Sequence, residues 1–236
     1  GRSRTRSLGE GFEGQPCTVA AMVPRGKGEG EFDTDGVAGF PASRTAPFVQ
    51  LAVLAAQEAL DDAGLAALFA DKGAILAEVV GAQTGVCVGT GIGSLEDIIE
   101  AGALVKAGQS RKVSPFFVPK VLANMAGAQI AIKHGLRGPN HSMITACAAG
   151  AHNIMDAARL IAMGDAVVMV AGGSESCITP LAVAGFARAK SLATEYNDRP
   201  DEASRPFDKD RCGFVMGEGA GILILEELEH AQRRNA

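Results

Sequence analysis

The sequence predicts an α/β fold, in which buried strands alternate with helices. Two short apolar runs, residues 85–90 (GVCVGT) and 166–171 (AVVMVA), have the composition of strands buried on both faces. Between them, apolar residues recur at helical spacing, with Ile154, Ala158 and Ile161 on one stripe. The order strand, helix, strand is typical of a parallel crossover.

The first helix is predicted to follow Thr45, which can cap it, with Pro47 in its first turn and Gly64 as its stop. Its predicted apolar face consists of Phe48, Leu51, Ala52, Ala55 and Ala59.

The other elements follow from local signals. Ser94, with Asp97 three residues later, resembles a capping box and predicts a helix to about Gly108. Residues 1–44, rich in glycine, proline and charge, are predicted to form loop. The remaining predictions are a helix from Pro119 to about Gly135, a helix ending at Gly164, a strand over 221–225 and a polar helix over 226–235.

The composition excludes several classes of function. With 236 residues, 47% of them hydrophobic, the chain is long enough for one or two domains. The net charge of −5 gives no general basis for nucleic-acid binding. No apolar run approaches the roughly 20 residues that a membrane span needs.

The cysteines indicate a reducing compartment. They are an odd number, far apart, with no C-x-x-C pair, so we expect neither a disulfide framework nor a zinc site. They are Cys17, Cys87, Cys147, Cys177 and Cys212.

The pattern around Cys147 predicts a nucleophile. The apolar run 143–146 leads into Cys147, and small residues follow before the helix begins. A cysteine at a strand-to-helix turn lies beside unpaired N–H groups that favour a thiolate. Its own N–H is placed to donate to an oxyanion. The alternative is a buried structural cysteine, which the residue type alone would favour.

Two glycine-rich segments suggest nucleotide binding, and their spacing argues against it. Gly89, Gly91 and Gly93 form G-x-G-x-G rather than G-x-G-x-x-G, and no acidic residue ends a second strand at the expected distance. Residues 217–221 (GEGAG) lack the lysine of a phosphate loop, so we interpret them as a site of close backbone packing.

Residues 138–154, GPNHSMITACAAGAHNI, resemble the active-site segment of the β-ketoacyl-acyl-carrier-protein synthases, the condensing enzymes of fatty acid synthesis. Residues 17–26, CTVAAMVPRG, are similar to the mitochondrial member of that family. Other segments fit the family in the same order: VSPFFVPKVLANMAG (113–127), GLRGPN (135–140), VMVAGGSES (168–176), SRPFDKDR (204–211), GFVMGEGAG (213–221) and EELEHA (226–231).

The resemblance implies the thiolase-like fold, a layered α/β/α/β/α arrangement of two similar halves. Residues 1–236 would then form an incomplete N-terminal synthase domain that lacks its usual opening strand and the whole C-terminal half. The resemblance implies that no metal and no other cofactor is needed.

The resemblance also implies a chemistry. Cys147 matches the nucleophile that takes an acyl group from acyl carrier protein, before malonyl carrier protein loses carbon dioxide and attacks the acyl-enzyme. The family's two decarboxylation histidines and a supporting lysine belong to the second half, so we expect this chain alone to be acylated at most. The four histidines present match neither and are expected to be structural or solvated: His134, His141, His152 and His230.

Three apolar positions match residues of the family's substrate pocket. Ile92 matches the gate of the acyl pocket, Phe117 a residue that reaches across the dimer interface, and Phe186 an aromatic near the substrate channel. For each, plain core packing is the alternative. The implied assembly is a homodimer.

Four basic residues match a rim that receives the acidic carrier protein, which is the implied partner: Arg111, Lys112, Arg188 and Lys190. Without the resemblance we would interpret them as a solvated face.

The resemblance implies a mitochondrial location, with the cytoplasm as the alternative. Residues 1–7, rich in Arg and Ser, fit a transit-peptide remnant or a loop, and their continuation into residues 17–26 favours the loop. Two other functions remain open: a truncated isoform or non-catalytic partner subunit, and a thiolase acting on acyl-coenzyme A, against which the SRPFDKDR and GFVMGEGAG segments argue.

Overall fold

The computed structural model of the chain describes residues 4–35, 37, 39–66 and 80–236. These residues fall into two compact units. The larger contains the described residues of Thr34–Glu175 together with Ala220–Ala236, and the smaller contains those of Gly1–Asp33 together with Ser176–Gly219. Among the described residues, every helix is too short or too polar to cross a lipid bilayer.

The described strands are β1 (Arg6–Ser7), β2 (Val19–Ala21), β3 (Thr84–Gly89), β4 (Asn140–His141), β5 (Val168–Glu175), β6 (Met216–Gly217) and β7 (Gly219–Glu226). The described helices are α1 (Pro47–Asp62), α2 (Leu95–Lys106), α3 (Phe117–Val121), α4 (Met125–His134), α5 (Ala149–Met163), α6 (Pro180–Arg188), α7 (Pro200–Ala203) and α8 (Leu228–Arg233). Within the described ranges, two 3₁₀ turns, Ser110–Lys112 and Ala146–Ala148, complete the regular structure.

The larger unit is built on a sheet with the strand order β4-β3-β5-β7. Strands β4 and β5 both run parallel to β3. The predicted strands over 85–90 and 166–171 are β3 and β5, with β5 beginning two residues later than expected and continuing to Glu175. The α/β prediction is therefore confirmed.

Helices cover both faces of this sheet. Because successive side chains of a strand point to opposite faces, β3 and β5 each contribute to two apolar clusters. Helices α1 and α4 cover the face formed by Val86, Val88, Val168 and Val170. Helix α5 covers the other face, where its Ala157 packs among Cys87, Met169 and Ala171.

Helix α1 differs from its prediction at its start and on its face. Its cap residue is Ala46 rather than Thr45, and no side chain caps it. Ala56 and Leu60 are buried in place of Ala55 and Ala59. All residues from 48 to 53 are buried, so spacing alone cannot locate the helix face there. The predicted stop is confirmed, since Gly64 has a left-handed φ of +66°.

The helix predicted from Pro119 is two helices, α3 and α4, because the chain becomes extended at Leu122. The capping box predicted at Ser94 is also wrong. Ser94 is the cap residue of α2, but its hydroxyl donates to the Asp97 carboxylate instead of accepting a backbone N–H. Asp97 in turn pairs with Lys120 of α3.

The smaller unit contains strands within the region predicted as loop. Strand β2 pairs with β1 antiparallel and with β6 parallel. Strands of two or three residues are too short to show an alternation of apolar and polar residues, and β6 lies in a distant segment. This sheet could therefore not be predicted from the sequence pattern. Residues 1–3, 36 and 38 of that predicted loop lie outside the described residues.

Polar side chains tie distant segments of the smaller unit together. The Glu218 carboxylate accepts hydrogen bonds from the Arg25 guanidinium, the Ser176 hydroxyl and the Val23 N–H, each at 3.0 Å. In the SRPFDKDR segment, the Asp210 N–H and the Arg205 guanidinium hold the pKa of the Asp208 carboxyl below its usual range. These contacts give the family-like segments 204–211 and 213–221 a structural role.

A half-buried carboxylate fastens the C-terminal helix of the larger unit. Glu226 pairs with His230 and accepts two hydrogen bonds from Arg234, at 2.7 and 2.6 Å. Arg234 also donates to the Ala63 carbonyl, 2.8 Å away, just after α1. The hydrogen bonds from Arg234 are the main reason that the pKa of Glu226 lies below its ordinary value.

Replacing Glu226 with glutamine is expected to lower the free energy of unfolding by roughly 2 kcal/mol at pH 7. Since the folded state depresses this pKa, the contribution is complete above the unfolded value of about 4.3 and is lost as the pH falls through the folded value. Urea unfolding at neutral and acidic pH should therefore show the difference shrinking with acid. Glu229→Gln, whose side chain is 78% exposed, is the control and should change little. A difference independent of pH would contradict this account.

Candidate functional site

Cys147 lies at the turn that leads into α5. Strand β4 ends at His141, residues 142–145 have no regular structure, and Cys147 is the middle residue of the 3₁₀ turn before the helix begins at Ala149. Its side chain is exposed, which excludes the buried structural cysteine within this chain. The predicted position beside a helix start is confirmed, whereas the apolar run 143–146 is not a strand.

The turn is strained at the residue before the cysteine. Ala146 has a φ of +53°, in the left-handed region. A residue with a Cβ atom pays about 1–2 kcal/mol for this conformation, so the surrounding contacts must hold it. Strain of this kind is concentrated at functional sites, and here it turns the chain sharply ahead of Cys147.

Asn153 holds the approach segment against the helix. Its side chain is fully buried; its oxygen accepts the Met143 N–H at 2.9 Å, and its nitrogen donates to the carbonyls of Met143 at 3.0 Å and Ala149 at 2.8 Å. Sequence reasoning missed this residue. The available signal was an amide on the buried stripe of α5, four residues from both Ala149 and Ala157.

Close backbone packing fixes the same segment from the sheet side. A Cβ atom on Gly89 would lie 2.3 Å from the Met143 carbonyl oxygen and 2.5 Å from the Asn153 amide nitrogen. A Cβ atom on Gly173 would lie 3.0 Å from the Cα of Gly150 in the first turn of α5. Glycine at the ends of β3 and β5 therefore allows the start of α5 to approach the sheet.

The loop after β3 brings Ile92 close to the cysteine segment. The Glu175 carboxylate accepts hydrogen bonds from the Thr90 hydroxyl at 2.9 Å and from the N–H groups of Gly91 at 2.8 Å and Ile92 at 3.2 Å. A Cβ atom on Gly91 would lie 3.2 Å from the Ala146 carbonyl oxygen, so this loop contacts the residue before Cys147. Glu175 was also missed: it is the last residue of β5, four residues beyond the end of the predicted strand.

The other predicted residues of the larger unit lie on its surface. Phe117 is half-buried at the first position of α3. Arg111 and Lys112 are exposed in the 3₁₀ turn that precedes it. The family roles of these residues stay predictions.

Phe186, Arg188 and Lys190 lie in the smaller unit. Phe186, in α6, is half-buried and makes an edge-to-face contact with Phe214, with ring centroids 5.4 Å apart. Arg188 ends α6 and Lys190 follows with a φ of +55°; both are exposed. The packing of Phe186 agrees with the core alternative as well as with a channel role.

The family model "Beta-ketoacyl synthase, N-terminal domain" matches residues 3–231, nearly the whole chain. The chain belongs to the β-ketoacyl synthase family. It is 50% identical to the mitochondrial 3-oxoacyl-[acyl-carrier-protein] synthase of Arabidopsis thaliana, over 95% of this chain and 47% of that protein. It is also 50% identical to 3-oxoacyl-[acyl-carrier-protein] synthase 2 of Rhizobium meliloti strain 1021, over 95% of this chain and 52% of that protein.

Solved structures agree. A β-ketoacyl synthase from Burkholderia phymatum STM815 matches all of this chain with a TM-score of 0.82 and 31% identity, and 55% of the solved chain is covered. A type II PKS ketosynthase solved with its acyl-carrier protein and bound to a hexaketide matches with a TM-score of 0.76 and 26% identity, over 100% and 53% of the two chains. The chain thus spans about half the length of the relatives it matches.

The remaining cysteines of the chain are less accessible than Cys147. Cys17, Cys87 and Cys177 are buried, and Cys212 is half-buried. Burial raises the pKa of the Cys17 thiol, and burial beside Asp156 raises that of Cys87 to about 12. Cys147 is therefore the thiol of this chain best placed to meet a substrate.

The histidines have structural partners. The Nδ1 atom of His152 lies 2.7 Å from the Thr145 hydroxyl, and that of His141 lies 2.9 Å from the Asp156 carboxylate. His230 pairs with Glu226, and His134 is buried at the end of α4. These surroundings agree with the prediction that all four are structural or solvated.

Proposed function

We propose that this chain supplies the nucleophilic half of a chain-elongating 3-oxoacyl-[acyl-carrier-protein] synthase that carries its acyl group on Cys147. The observation that carries the proposal is the exposed Cys147 thiol at a strained turn into α5. The names of the relatives from Arabidopsis thaliana and Rhizobium meliloti support the reaction class.

The first half-reaction is an acyl transfer. The Cys147 thiolate attacks the thioester carbonyl of the acyl carrier protein, and the N–H of Cys147 donates to the oxyanion that forms. The bond between the carbonyl carbon and the carrier sulfur then breaks, and the carrier leaves as a thiol after taking up a proton. The acyl group remains as a thioester on Cys147. No cofactor takes part in this exchange.

The second half-reaction is a decarboxylative condensation. Malonyl carrier protein loses carbon dioxide, its enolate carbon attacks the acyl-Cys147 carbonyl, and the Cys147 thiolate leaves. The product is a 3-oxoacyl thioester that is two carbons longer. We assign the groups that promote decarboxylation to the second half implied by the family, so this chain by itself is expected to form the acyl-enzyme without condensing it.

Mass spectrometry tests the nucleophile. After incubation with acyl carrier thioester, the chain is expected to gain one acyl mass, located on the Cys147 peptide. Cys212→Ala, which removes a half-buried cysteine, should keep the adduct, whereas Cys147→Ala should lose it completely. An adduct that survives Cys147→Ala would defeat the assignment. No adduct on the wild type would favour a non-catalytic subunit, and an adduct from acyl-coenzyme A alone would favour a thiolase.

We also propose an acidic carrier protein as the partner of the exposed basic residues. The solved ketosynthase in complex with its acyl-carrier protein supports this class of partner. Charge reversal at Arg111 and Lys112, or at Arg188 and Lys190, is expected to slow association with the carrier at least about tenfold at low salt, because steering depends on surface charge.

Stopped-flow binding at two salt concentrations measures this effect, which should weaken as salt is added. The double variant Lys27→Glu with Arg159→Glu, at exposed basic residues outside the predicted rim, is the control, because it changes the net charge by the same amount. Equal losses in the control and the rim variants would show that only net charge matters.

The location and assembly complete the proposal. We propose a mitochondrial protein, as the relative from Arabidopsis thaliana is so named, although the bacterial relative is equally identical. We propose that the whole protein is a homodimer, as the family resemblance implies. Sedimentation of the full-length protein and its position in cell fractions test these two points.

A further inference from the structure

Three side chains able to bind a transition metal converge where β3, β4 and α5 meet. Cys87 of β3 and His141 of β4 face each other in the parallel register, so their side chains lie side by side. Cys87 points to the face covered by α5, and Asp156 comes from that helix. Each ligand type therefore comes from a different element of the larger unit.

Two of the three ligand–ligand distances lie near those around a small cation, and the third, from Cys87 Sγ to His141 Nδ1, is at most 4.8 Å. The His141 Nδ1 atom lies 2.9 Å, and the Cys87 Sγ atom 3.7 Å, from the same Asp156 oxygen. All three ligand atoms lie within 4.8 Å of one another. A tetrahedral zinc ion with bonds of about 2.0–2.3 Å holds its ligand atoms roughly 3.3–3.6 Å apart. The sulfur–oxygen distance nearly fits, and the nitrogen and oxygen must separate by only about 0.4 Å.

We propose that Cys87, His141 and Asp156 form a binding site for a zinc-class divalent cation. A sulfur, an imidazole nitrogen and a carboxylate oxygen favour zinc over magnesium or calcium, which prefer oxygen ligands. Three protein ligands leave the fourth position to water. On binding, the Cys87 thiol releases its proton to the buffer and the sulfur bonds to the metal.

The burial of the three groups indicates how the ion enters. Cys87 is fully buried, the Asp156 side chain is 21% exposed and the His141 side chain is 47% exposed. The ion therefore arrives from the His141 side, and rotation of this exposed ring provides the small opening that the site needs. No zinc site was predicted from the spacing of cysteines along the chain, because these three ligands come from separate segments.

The bound ion would connect the edge strand β4 to β3 and α5, the elements that carry the cysteine turn. Without metal, the same groups form a histidine–aspartate pair with a thiol alongside. A bond from the Cys87 sulfur to the metal is the spectroscopic mark that distinguishes the two arrangements. The inference does not depend on the proposed function, since it involves neither Cys147 nor a thioester.

Cobalt(II), a spectroscopic substitute for zinc, tests the site. The titration uses a Cys147→Ala background under a reductant that does not bind metal, so that the exposed thiol cannot contribute. We expect one cobalt per chain, with a thiolate-to-cobalt charge-transfer band and tetrahedral visible bands. Added zinc should abolish these bands, and added magnesium should not.

Variants locate the site. Cys87→Ala should remove the charge-transfer band, and Asp156→Asn should weaken binding at least about tenfold. Because Cys87 is buried, circular dichroism must first show that the Cys87→Ala variant keeps the native fold. If that variant does not fold, His141→Gln replaces it, because the His141 ring is exposed. The His141→Gln variant should lose the tetrahedral bands. Cys212→Ala, at the half-buried cysteine, should bind normally. The proposal would be overturned if the parent showed no charge-transfer band, if that band survived Cys87→Ala, or if the tetrahedral bands survived His141→Gln.

Discussion

Replacing Asn153 with leucine is expected to destabilise the chain by about 3 kcal/mol and to abolish acylation of Cys147. Leucine fills a similar volume but makes no hydrogen bond. The Met143 N–H and the carbonyls of Met143 and Ala149 would then lose the partner that they share. Each buried polar group left without a partner costs about 1–3 kcal/mol.

The loss of acylation has a separate cause. Once released from Asn153, the approach segment no longer holds Ala146 in its left-handed conformation, which costs about 1–2 kcal/mol to maintain. We expect the turn to relax and Cys147 to leave its position at the start of α5. The acylation rate should therefore fall even in the variant that remains folded at low temperature.

Urea unfolding and acyl-adduct formation measure the two effects independently. Arg159→Ala, at an exposed position on the same helix, is the matched control and should change stability by less than about 0.5 kcal/mol. A stability loss below about 1 kcal/mol for Asn153→Leu would show that water or backbone groups replace the amide. Unchanged acylation in a destabilised variant would show that the turn holds itself.

Local signals made the framework of the fold predictable. Strands β3 and β5 are continuous apolar runs because both of their faces are covered. The stops of α4 and α5 fall where expected, since Gly135 and Gly164 adopt left-handed φ values of +70° and +81°. The position of Cys147 followed from the same local pattern, namely small residues between an apolar run and a helix.

Contacts between distant segments were not predictable in this way. The partner of β2 is β6, far along the chain, and two-residue strands carry no periodicity. Glu175 holds the Ile92 loop through backbone N–H groups, which any sequence would provide. In the GEGAG segment, close packing occurs at Gly221, whose carbonyl oxygen lies 2.0 Å from where a Cβ atom of Gly172 would stand. The residue that must be glycine for this packing is Gly172 of β5, which lies outside the GEGAG segment.

The G-x-G-x-G pattern after β3 illustrates the same point. Its first two glycines make close contacts within the candidate site: Gly89 with Met143 and Asn153, and Gly91 with Glu175 and Ala146. A pattern that suggested dinucleotide binding is thus explained by how closely the sheet approaches the cysteine turn. A single methyl group added at the first of these glycines is therefore expected to disturb the site.

Gly89→Ala is accordingly expected to destabilise the chain by about 3 kcal/mol, at the upper end of the range for overpacked cores. The new Cβ atom would stand 2.3 Å from the Met143 carbonyl oxygen, a backbone atom that cannot rotate away. Moving it would also strain the Asn153 hydrogen bonds to Met143, so acylation of Cys147 should slow together with the loss of stability.

The matched control is Gly102→Ala in α2, where an added Cβ atom meets nothing within 4 Å. This substitution should stabilise the chain by about 0.5–1 kcal/mol, because alanine favours a helix over glycine. Urea unfolding of both variants, with adduct formation on Cys147, completes the comparison. If Gly89→Ala lowers the free energy of unfolding and Gly102→Ala raises it, the loss of stability comes from the contact between β3 and the cysteine turn. Similar small effects would mean that the approach segment can move away from the sheet without losing its function.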